Sequence, residues 1–159
     1  MRLVVIGDTH GYIEAVRAEI ERLQPVDLLV FTGDLYKDAA HLGRKLKVPV
    51  NAVVGNCDEG VKGPKEAVFE AGGKTILVTH GHLYSVKKTM INLFYRGQEV
   101  KADLVFYGHT HVGSISRGSD GMWLINPGSP TYPRAGSAAS FAVVEIEGAK
   151  VEARLIEFS

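Results

Sequence analysis

The chain has few of the features typical of secreted or membrane proteins. Its 159 residues include one cysteine, Cys57, so no internal disulfide can form, and such cysteine usage is typical of a reducing compartment. No apolar run approaches the roughly 18 residues that a membrane span requires. The run that begins at Leu3 meets Asp8 too soon for the apolar segment of a signal peptide. We therefore expect a cytoplasmic protein without a membrane partner.

The chain also has no excess of charge of either sign. Eighteen Lys and Arg residues balance eighteen Asp and Glu residues, so no broad electrostatic field attracts nucleic acid or anionic lipid. It has no stripe of aromatic and basic residues of the kind that lines a polynucleotide groove. It also has no repeat and no visible linker, and its length suits one domain. We predict a single domain over residues 1–159 without dedicated nucleic-acid binding.

Five short apolar runs each end at residues that can bind a metal. The runs are short and rich in β-branched residues, as is typical of buried strands. Because open α/β sheets bind ligands outside the carboxyl ends of their strands, these residues should meet at one edge. Seven candidate ligands follow the runs: Asp8, His10, Asp34, Asn56, His80, His109 and His111.

Helical spacing of apolar residues separates the first strands, which indicates parallel strands with helical crossovers. The later part of the chain is mainly β, apart from one further helix and a turn-rich loop over residues 126–134. Two packed sheets with outer helices, an α/β fold, accommodate the whole pattern. The predicted elements are helices over 12–23, 39–46 and 86–94, a hairpin of 66–71 with 74–78, and strands over 113–117, 122–125, 140–146 and 151–158.

A mixed set of carboxylates and imidazoles suits Mn, Fe, Zn, Co or Ni better than Ca or Mg. Seven ligands are too many for one ion with an open position and about right for two. Taken singly, an Asp or Asn after a strand is also typical of a turn or a helix N-cap, and a lone His of a packed side chain. A shared metal site accounts for all seven positions together.

Five ordered motifs resemble those of the calcineurin-like metallophosphoesterases. The short chain and residues 126–129 further resemble the small bacterial and archaeal phosphodiesterases, the YfcE-like group. The resemblance implies a four-layer αββα sandwich of two mixed β-sheets flanked by helices. The motifs are Gly7-Asp8-Thr9-His10-Gly11, Gly33-Asp34, Gly55-Asn56-Cys57-Asp58, Thr79-His80-Gly81-His82 and Gly108-His109-Thr110-His111.

The resemblance also implies a role for each ligand. Asp8, His10 and His111 would hold one ion, Asn56, His80 and His109 the other, and Asp34 would bridge them. The implied cofactors are two divalent transition-metal ions, with manganese expected first and nickel, iron, cobalt and zinc as alternatives. A hydroxide bridging the ions would attack phosphorus in line.

Three further residues are candidates for catalysis or substrate binding. Many larger family members carry a His where this chain has Cys57. Cys57 is either the proton donor or a packed small residue, and the identity of the general acid stays open. His82 either contacts a phosphoryl oxygen or supports a ligand. Arg134, in the turn-rich loop, either binds substrate phosphate with Asn56 or is a solvated cation.

Charge favours phosphodiesters as substrates. The charges of two divalent ions, two aspartates and a hydroxide sum to roughly one positive charge, which a monoanionic diester neutralises. We expect a phosphodiesterase acting on small phosphodiesters. A phosphomonoesterase or protein phosphatase with the same site is one alternative. A binding scaffold is another, because a retromer subunit with altered site residues has this fold. A metal-sensing regulator and a homo-oligomer also stay open.

Overall fold

Two mixed five-stranded sheets form the centre of the computed structural model, which describes residues 1–159. Three α-helices cover the outer faces of the sheets. None of the helices has the length and apolar composition needed to cross a bilayer. The elements are β1 (Arg2–Ile6), α1 (Glu14–Glu21), β2 (Leu28–Phe31), α2 (Tyr36–Leu46), β3 (Val50–Ala52), β4 (Glu66–Ala71), β5 (Lys74–Thr79), α3 (Ile91–Glu99), β6 (Leu104–Phe106), β7 (Gly113–Arg117), β8 (Trp123–Pro127), β9 (Ala139–Glu147) and β10 (Lys150–Phe158), with a 3-10 turn at His82–Tyr84.

The first sheet has the order β10-β9-β1-β2-β3. Strands β1, β2 and β3 are parallel, and β9 and β10 are antiparallel to their neighbours. In the second sheet, of order β4-β5-β6-β8-β7, strands β5, β6 and β8 are parallel, and β4 and β7 lie antiparallel at its edges. The parallel strands point their carboxyl ends toward the same edge of the molecule, which is where the site lies.

Alternate residues of each strand pack on opposite faces, as the period of two requires. In β1, Leu3 and Val5 pack against the second sheet, whereas Val4 and Ile6 pack against the layer of α1 and α2. Leu77 of β5 packs on the other outer face, against α3. The layers are therefore helix, sheet, sheet and helix, which confirms the predicted αββα sandwich.

The predicted hairpin and the C-terminal strands are present, whereas the helix predicted over residues 86–94 is displaced. The observed helix α3 runs over Ile91–Glu99. Ser85 has a positive φ of 55°, and its carbonyl accepts bonds from the N–H groups of Lys88 and Thr89, so this segment forms turns. Val86 and Leu93 still pack on the second sheet, which explains why their spacing resembled one continuous helix.

Candidate metal centre

The seven predicted ligands lie on the loops that follow β1, β2, β3, β5 and β6. The residues of this group with positive φ are Asp8 at 51°, His10 at 49°, Asp34 at 61°, His109 at 72° and His111 at 60°. This region of backbone conformation is uncommon for residues other than glycine and clusters at functional sites. The loops are thus bent sharply, which turns these side chains toward one another.

One group of ligands lies around the carboxylate of Asp8. Asp8, His10, Asp34 and His111 each offer a ligand atom, and these atoms lie within 4.8 Å of one another. Nε2 of His111 is 3.3 Å from Oδ1 of Asp8. Nε2 of His10 is 4.0 Å from Oδ2 of Asp34. The structure therefore brings together the three residues expected at one ion and the residue expected to bridge.

The other group lies around the imidazole of His80, whose Nε2 is also 3.9 Å from Oδ1 of Asp8. Nε2 of His80 is 2.9 Å from Oδ1 of Asn56 and 3.4 Å from Oδ2 of Asp34. The rings of His80 and His109 have centroids 5.0 Å apart, so His109 joins this group through ring packing. All seven side chains thus surround one small volume.

Two buried polar atoms in this volume have no hydrogen-bond partner. They are Oδ1 of Asp8 and Nε2 of His10. An unpaired buried polar group costs about 1–3 kcal/mol, and more when it is charged. A cation bound between the two atoms would remove that cost, so the residues present fit a metal ion.

Backbone carbonyls orient two of the imidazoles. Nδ1 of His80 lies 2.9 Å from the carbonyl oxygen of Thr32, and Nδ1 of His111 lies 2.7 Å from that of Tyr132. A carbonyl can only accept, so Nδ1 carries the proton and Nε2 presents its lone pair to the centre. Hydrogen bonds of this kind are usual for metal-binding histidines.

Backbone N–H groups orient the two aspartates in the same way. Oδ2 of Asp8 accepts a hydrogen bond from the N–H of His109 at 3.0 Å. Oδ1 of Asp34 accepts one from the N–H of Cys57 at 2.9 Å. The remaining oxygen of each carboxylate faces the imidazoles, so both carboxylates are preorganised as ligands.

Two glycines let other loops approach these carboxylates. A Cβ atom at Gly55 would lie 2.1 Å from Oδ1 of Asp34. A Cβ atom at Gly108 would lie 2.8 Å from Oδ2 of Asp8. Neither space can hold a methyl group, so the motifs need glycine here for its size.

The sequence analysis missed the aspartate that supports the first loop. Asp38, a buried residue in the first turn of α2, accepts hydrogen bonds at Oδ2 from the hydroxyl of Thr9 and the N–H of Gly11. These contacts flank His10 and hold its loop. Asp38 belongs to no motif and occupies an ordinary helical position, so no signal in one sequence marks it.

Asp58, next to the Asn56 motif, is buried and structural. Its two oxygens accept hydrogen bonds from the N–H of Tyr36 and the N–H of Gly55, at 2.9 and 2.8 Å. Tyr36 is the first residue of α2, so a carboxylate there is also favourable for the helix dipole. The bonds explain why α2 begins three residues before its predicted start.

Burial and neighbouring charged groups shift the pKa values of the site residues in different directions. Burial alone would lower the pKa of His80, but contact with Asp34 and the charge of Asp8 raise it. Burial alone would raise the pKa of Asp34, yet contact with His80 lowers it. Burial and the charge of His80 lower the pKa of His109 to about 4. His109 is therefore neutral at neutral pH, as a metal ligand must be.

The thiol of Cys57 lies beside the centre. Although Cys57 is exposed, partial desolvation of its thiol and the nearby Asp34 carboxylate raise the pKa of Cys57 to about 11. The side-chain nitrogen of Asn56 is 3.7 Å from this sulfur. A thiol with so high a pKa is a weak proton donor at neutral pH.

His82 lies deeper in the site than Arg134 does. The His82 ring centroid is 5.3 Å from that of His80, and its buried Nδ1 has no partner. His82 lines a cleft of about 310 Å³ together with Asn56 and Lys65. Arg134 is exposed, and its backbone N–H donates to the carbonyl of His111 at 3.2 Å.

The comparison with protein families agrees with a metal site in this position. The family model described as "Calcineurin-like phosphoesterase superfamily domain" matches residues 1–149. The chain belongs to this superfamily. It is 36% identical over 148 residues to a probable metallophosphoesterase, YsnB of Bacillus subtilis, across 92% of this chain and 85% of that protein. It is 28% identical to the phosphodiesterase YfcE of Escherichia coli, across 91% of this chain and 88% of YfcE.

Solved structures of calcineurin-like proteins show the same fold. A phosphoesterase-like protein of Streptococcus pneumoniae superposes with a TM-score of 0.84 at 30% identity, over 98% of this chain and 88% of that one. Vps29 of Entamoeba histolytica, solved in complex with zinc, superposes with a TM-score of 0.80 at 24% identity, with both chains fully covered. The second likeness is evidence for the fold alone.

Proposed function

We propose that this protein is a dinuclear metal-dependent phosphodiesterase acting on small phosphodiesters. One observation carries the proposal: Oδ2 of Asp34 is close to an imidazole of each ligand set, 4.0 Å from Nε2 of His10 and 3.4 Å from Nε2 of His80. A carboxylate placed between two sets of ligands is the arrangement expected of a bridge. Asp8, His10 and His111 would hold one ion, and Asn56, His80 and His109 the other.

When bound, two divalent ions would lower the pKa of a water molecule and offset charge on a phosphoryl group. The side chains of the protein would position the ions and contact the substrate. The carboxylates of Asp8 and Asp34 are fixed by backbone N–H groups and need no rearrangement to bind. Asn56 is exposed at the mouth of the site, where its amide could also contact the substrate, and the unpaired Nδ1 of His82 would donate a hydrogen bond to a phosphoryl oxygen.

Two features favour diesters over monoesters. The site residues include two carboxylates that leave little net positive charge after metals and a hydroxide bind, which suits a monoanion. The high pKa of Cys57 also favours substrates whose leaving group needs little protonation. Likeness to YfcE, named a phosphodiesterase, supports the same substrate class.

We expect manganese as the preferred ion, since the mixed N/O ligand set accepts it. We also expect the protein in the cytoplasm, because its one cysteine is typical of a reducing compartment.

The test compares bis(p-nitrophenyl) phosphate with p-nitrophenyl phosphate on metal-stripped protein. Mn, Ni, Co, Zn and Mg are added back separately, and the Asp34→Asn variant is measured beside the wild type. We expect metal-dependent cleavage of the diester and a loss of at least about a hundredfold in Asp34→Asn. The matched control is Asp120→Asn, since Asp120 lies in a turn outside the site and binds Met122 and Gln98.

A preference for the monoester would keep the site and make the protein a phosphomonoesterase. A binding scaffold of the same fold is the alternative from another functional class. It predicts stoichiometric metal binding without turnover of either ester. The complete set of histidine ligands, with His10, His80, His109 and His111 all present, favours the enzyme.

A further inference from the structure

Two tyrosines beside the metal centre expose their rings to solvent. Tyr12 is 66% exposed and Tyr132 is 50% exposed. Their ring centroids lie 6.2 Å apart with the planes nearly perpendicular, at 86°. Tyr132 also meets the ring of His10, at 5.5 Å and 73°, and His10 meets His111 at 5.2 Å. A continuous line of rings thus runs from the metal ligands to the surface.

Hydrogen bonds hold both tyrosines at fixed positions relative to the ligands. The hydroxyl of Thr131 donates to the carbonyl of Thr9 at 2.9 Å and lies 3.4 Å from that of Tyr12. The hydroxyl of Ser129 donates to the carbonyl of Asp8 at 2.8 Å. Residues 126–134 and the loop after β1 are therefore joined into one unit.

The backbone of Tyr132, not its side chain, contacts a candidate metal ligand. Its carbonyl accepts the hydrogen bond from Nδ1 of His111 at 2.7 Å, and its N–H donates to the hydroxyl of Ser129 at 2.9 Å. These bonds fix the backbone of Tyr132 relative to His111. The Tyr132 ring is thus carried next to a candidate ligand, His10.

Neither tyrosine contributes to the folded core. Both are absent from the three clusters of buried apolar side chains. Two large aromatic rings exposed beside a ligand site have accessible π-faces, which bind planar rings by stacking. Stacking tolerates different bases and aryl groups because each has a π-face.

We propose that Tyr12 and Tyr132 form an aromatic platform that binds a planar ring, a nucleobase or an aryl group, carried by the substrate phosphodiester. This proposal rests on the proposed function and narrows its substrate class. Diesters with such a ring are bound in preference to diesters with only small aliphatic groups. The phosphoryl group is then held by the metal centre, while the ring contacts the platform, which lies next to the candidate ligand His10.

The kinetic test uses three diesters that share p-nitrophenolate as leaving group and differ in the other ester group: methyl, phenyl and thymidine 5′. Tyr12→Ala and Tyr132→Ala are compared with Tyr12→Phe and Tyr132→Phe, which keep the ring. Tyr95→Ala is the control, because Tyr95 is 59% exposed on α3. We expect the Ala variants to raise KM about tenfold for the phenyl and thymidine esters and to leave the methyl ester unchanged.

An equal rise in KM for all three esters, restored by Phe, would assign the platform to the leaving aryl ring and would also support it. Unchanged KM values in both Ala variants would overturn the proposal. Calorimetry on the manganese-loaded protein gives a second readout without turnover. Thymidine 5′-monophosphate should bind about tenfold tighter than methyl phosphate to the wild type, and this preference should vanish in Tyr132→Ala.

The two proposals can fail separately. If the wild type cleaves none of the three diesters with any metal, the proposed function is wrong, and calorimetry still tests the platform. If the wild type cleaves the methyl ester and shows no preference for a ring in either experiment, the function stands and the platform is wrong.

Discussion

The imidazole of His80 and the carboxylate of Asp34 lie 3.4 Å apart, and their side chains are 0% and 2% exposed. His80 follows β5 of the second sheet, whereas Asp34 follows β2 of the first sheet. The candidate metal centre therefore joins the two sheets. Because the Asp34 carboxylate is charged and buried, occupancy of the centre should affect the stability of the whole fold.

Metal should stabilise the protein measurably. Binding at a concentration about 100 times the Kd adds about 2.7 kcal/mol to the free energy of unfolding, which corresponds to a rise in Tm of about 5–10 °C for a chain of this size. Thermal unfolding with manganese and with a chelator measures this difference. Asp8→Asn, which weakens a buried ligand, should lose most of the rise; an equal rise in that variant would contradict the assigned centre.

Asp38 should control metal affinity without touching the metal. Replacing it with Ala removes the acceptor for Thr9 and Gly11 and frees the loop that carries His10. Supporting residues of this kind typically contribute 10–100-fold to metal affinity. Manganese titration of Asp38→Ala should show a loss in this range. Lys37→Ala, an exposed neighbour in the same helical turn, should bind like the wild type, and equal losses in both variants would point to damage of the helix instead.

Gly55 should not tolerate a methyl group. In Gly55→Ala the new Cβ would meet Oδ1 of Asp34 at 2.1 Å, so Asp34 or the loop must shift and metal binding should fall strongly. Gly60→Ala is the comparison, because its Cβ meets nothing within 4 Å although φ is +76°. That variant should lose about 1 kcal/mol of stability while it binds metal normally. Normal metal binding by Gly55→Ala would show that the loop has room.

A cluster away from the site should make stability depend on pH. The carboxylate of Glu66 accepts hydrogen bonds from Arg96 and Tyr84. Burial alone would raise the pKa of Glu66, but these bonds lower it below its ordinary 4.5. The stabilisation is therefore present above pH 4.5 and is lost as the pH falls through the lowered value.

Urea unfolding of wild type and Glu66→Gln at several pH values tests this dependence. The wild type should be more stable by about 1 kcal/mol at pH 7, since the ion pair is partly solvent-screened. The difference should shrink as the pH falls below the ordinary pKa of Glu66, 4.5. A difference that stays constant with pH would mean that packing, not charge, stabilises the cluster.

Cys57 offers a test of leaving-group chemistry. A His at this position would be a better proton donor than a thiol with a pKa of about 11. Cys57→His should therefore raise kcat/KM for diesters with poor leaving groups more than for p-nitrophenyl esters. Cys57→Ala serves as control for the change in packing. Equal effects of Cys57→His on good and poor leaving groups would contradict the hypothesis that protonation of the leaving group limits the reaction.

Local patterns in the sequence were enough to find the strands and the candidate ligands. Short β-branched runs such as β1 predict buried strands, and Asp8 and Asp34 stand directly after such runs. The helix over 86–94 was misplaced because its apolar spacing is satisfied by two separate segments. Turns over residues 85–88 leave Val86 outside the helix that contains Leu93, and no residue in this segment marks the break in the sequence.

The sequence by itself determined the fold class, the family and the seven candidate ligands, because periodicity and motifs are local properties of the chain. Tertiary structure alone decided which atoms meet. Asp38 supports the loop of His10 from another element, and Tyr12 meets Tyr132, 120 positions further along the chain. Such contacts depend on where strands end and how sheets pack. Packing brings together residues that are far apart in the chain, so their contact cannot be predicted from their positions in the sequence.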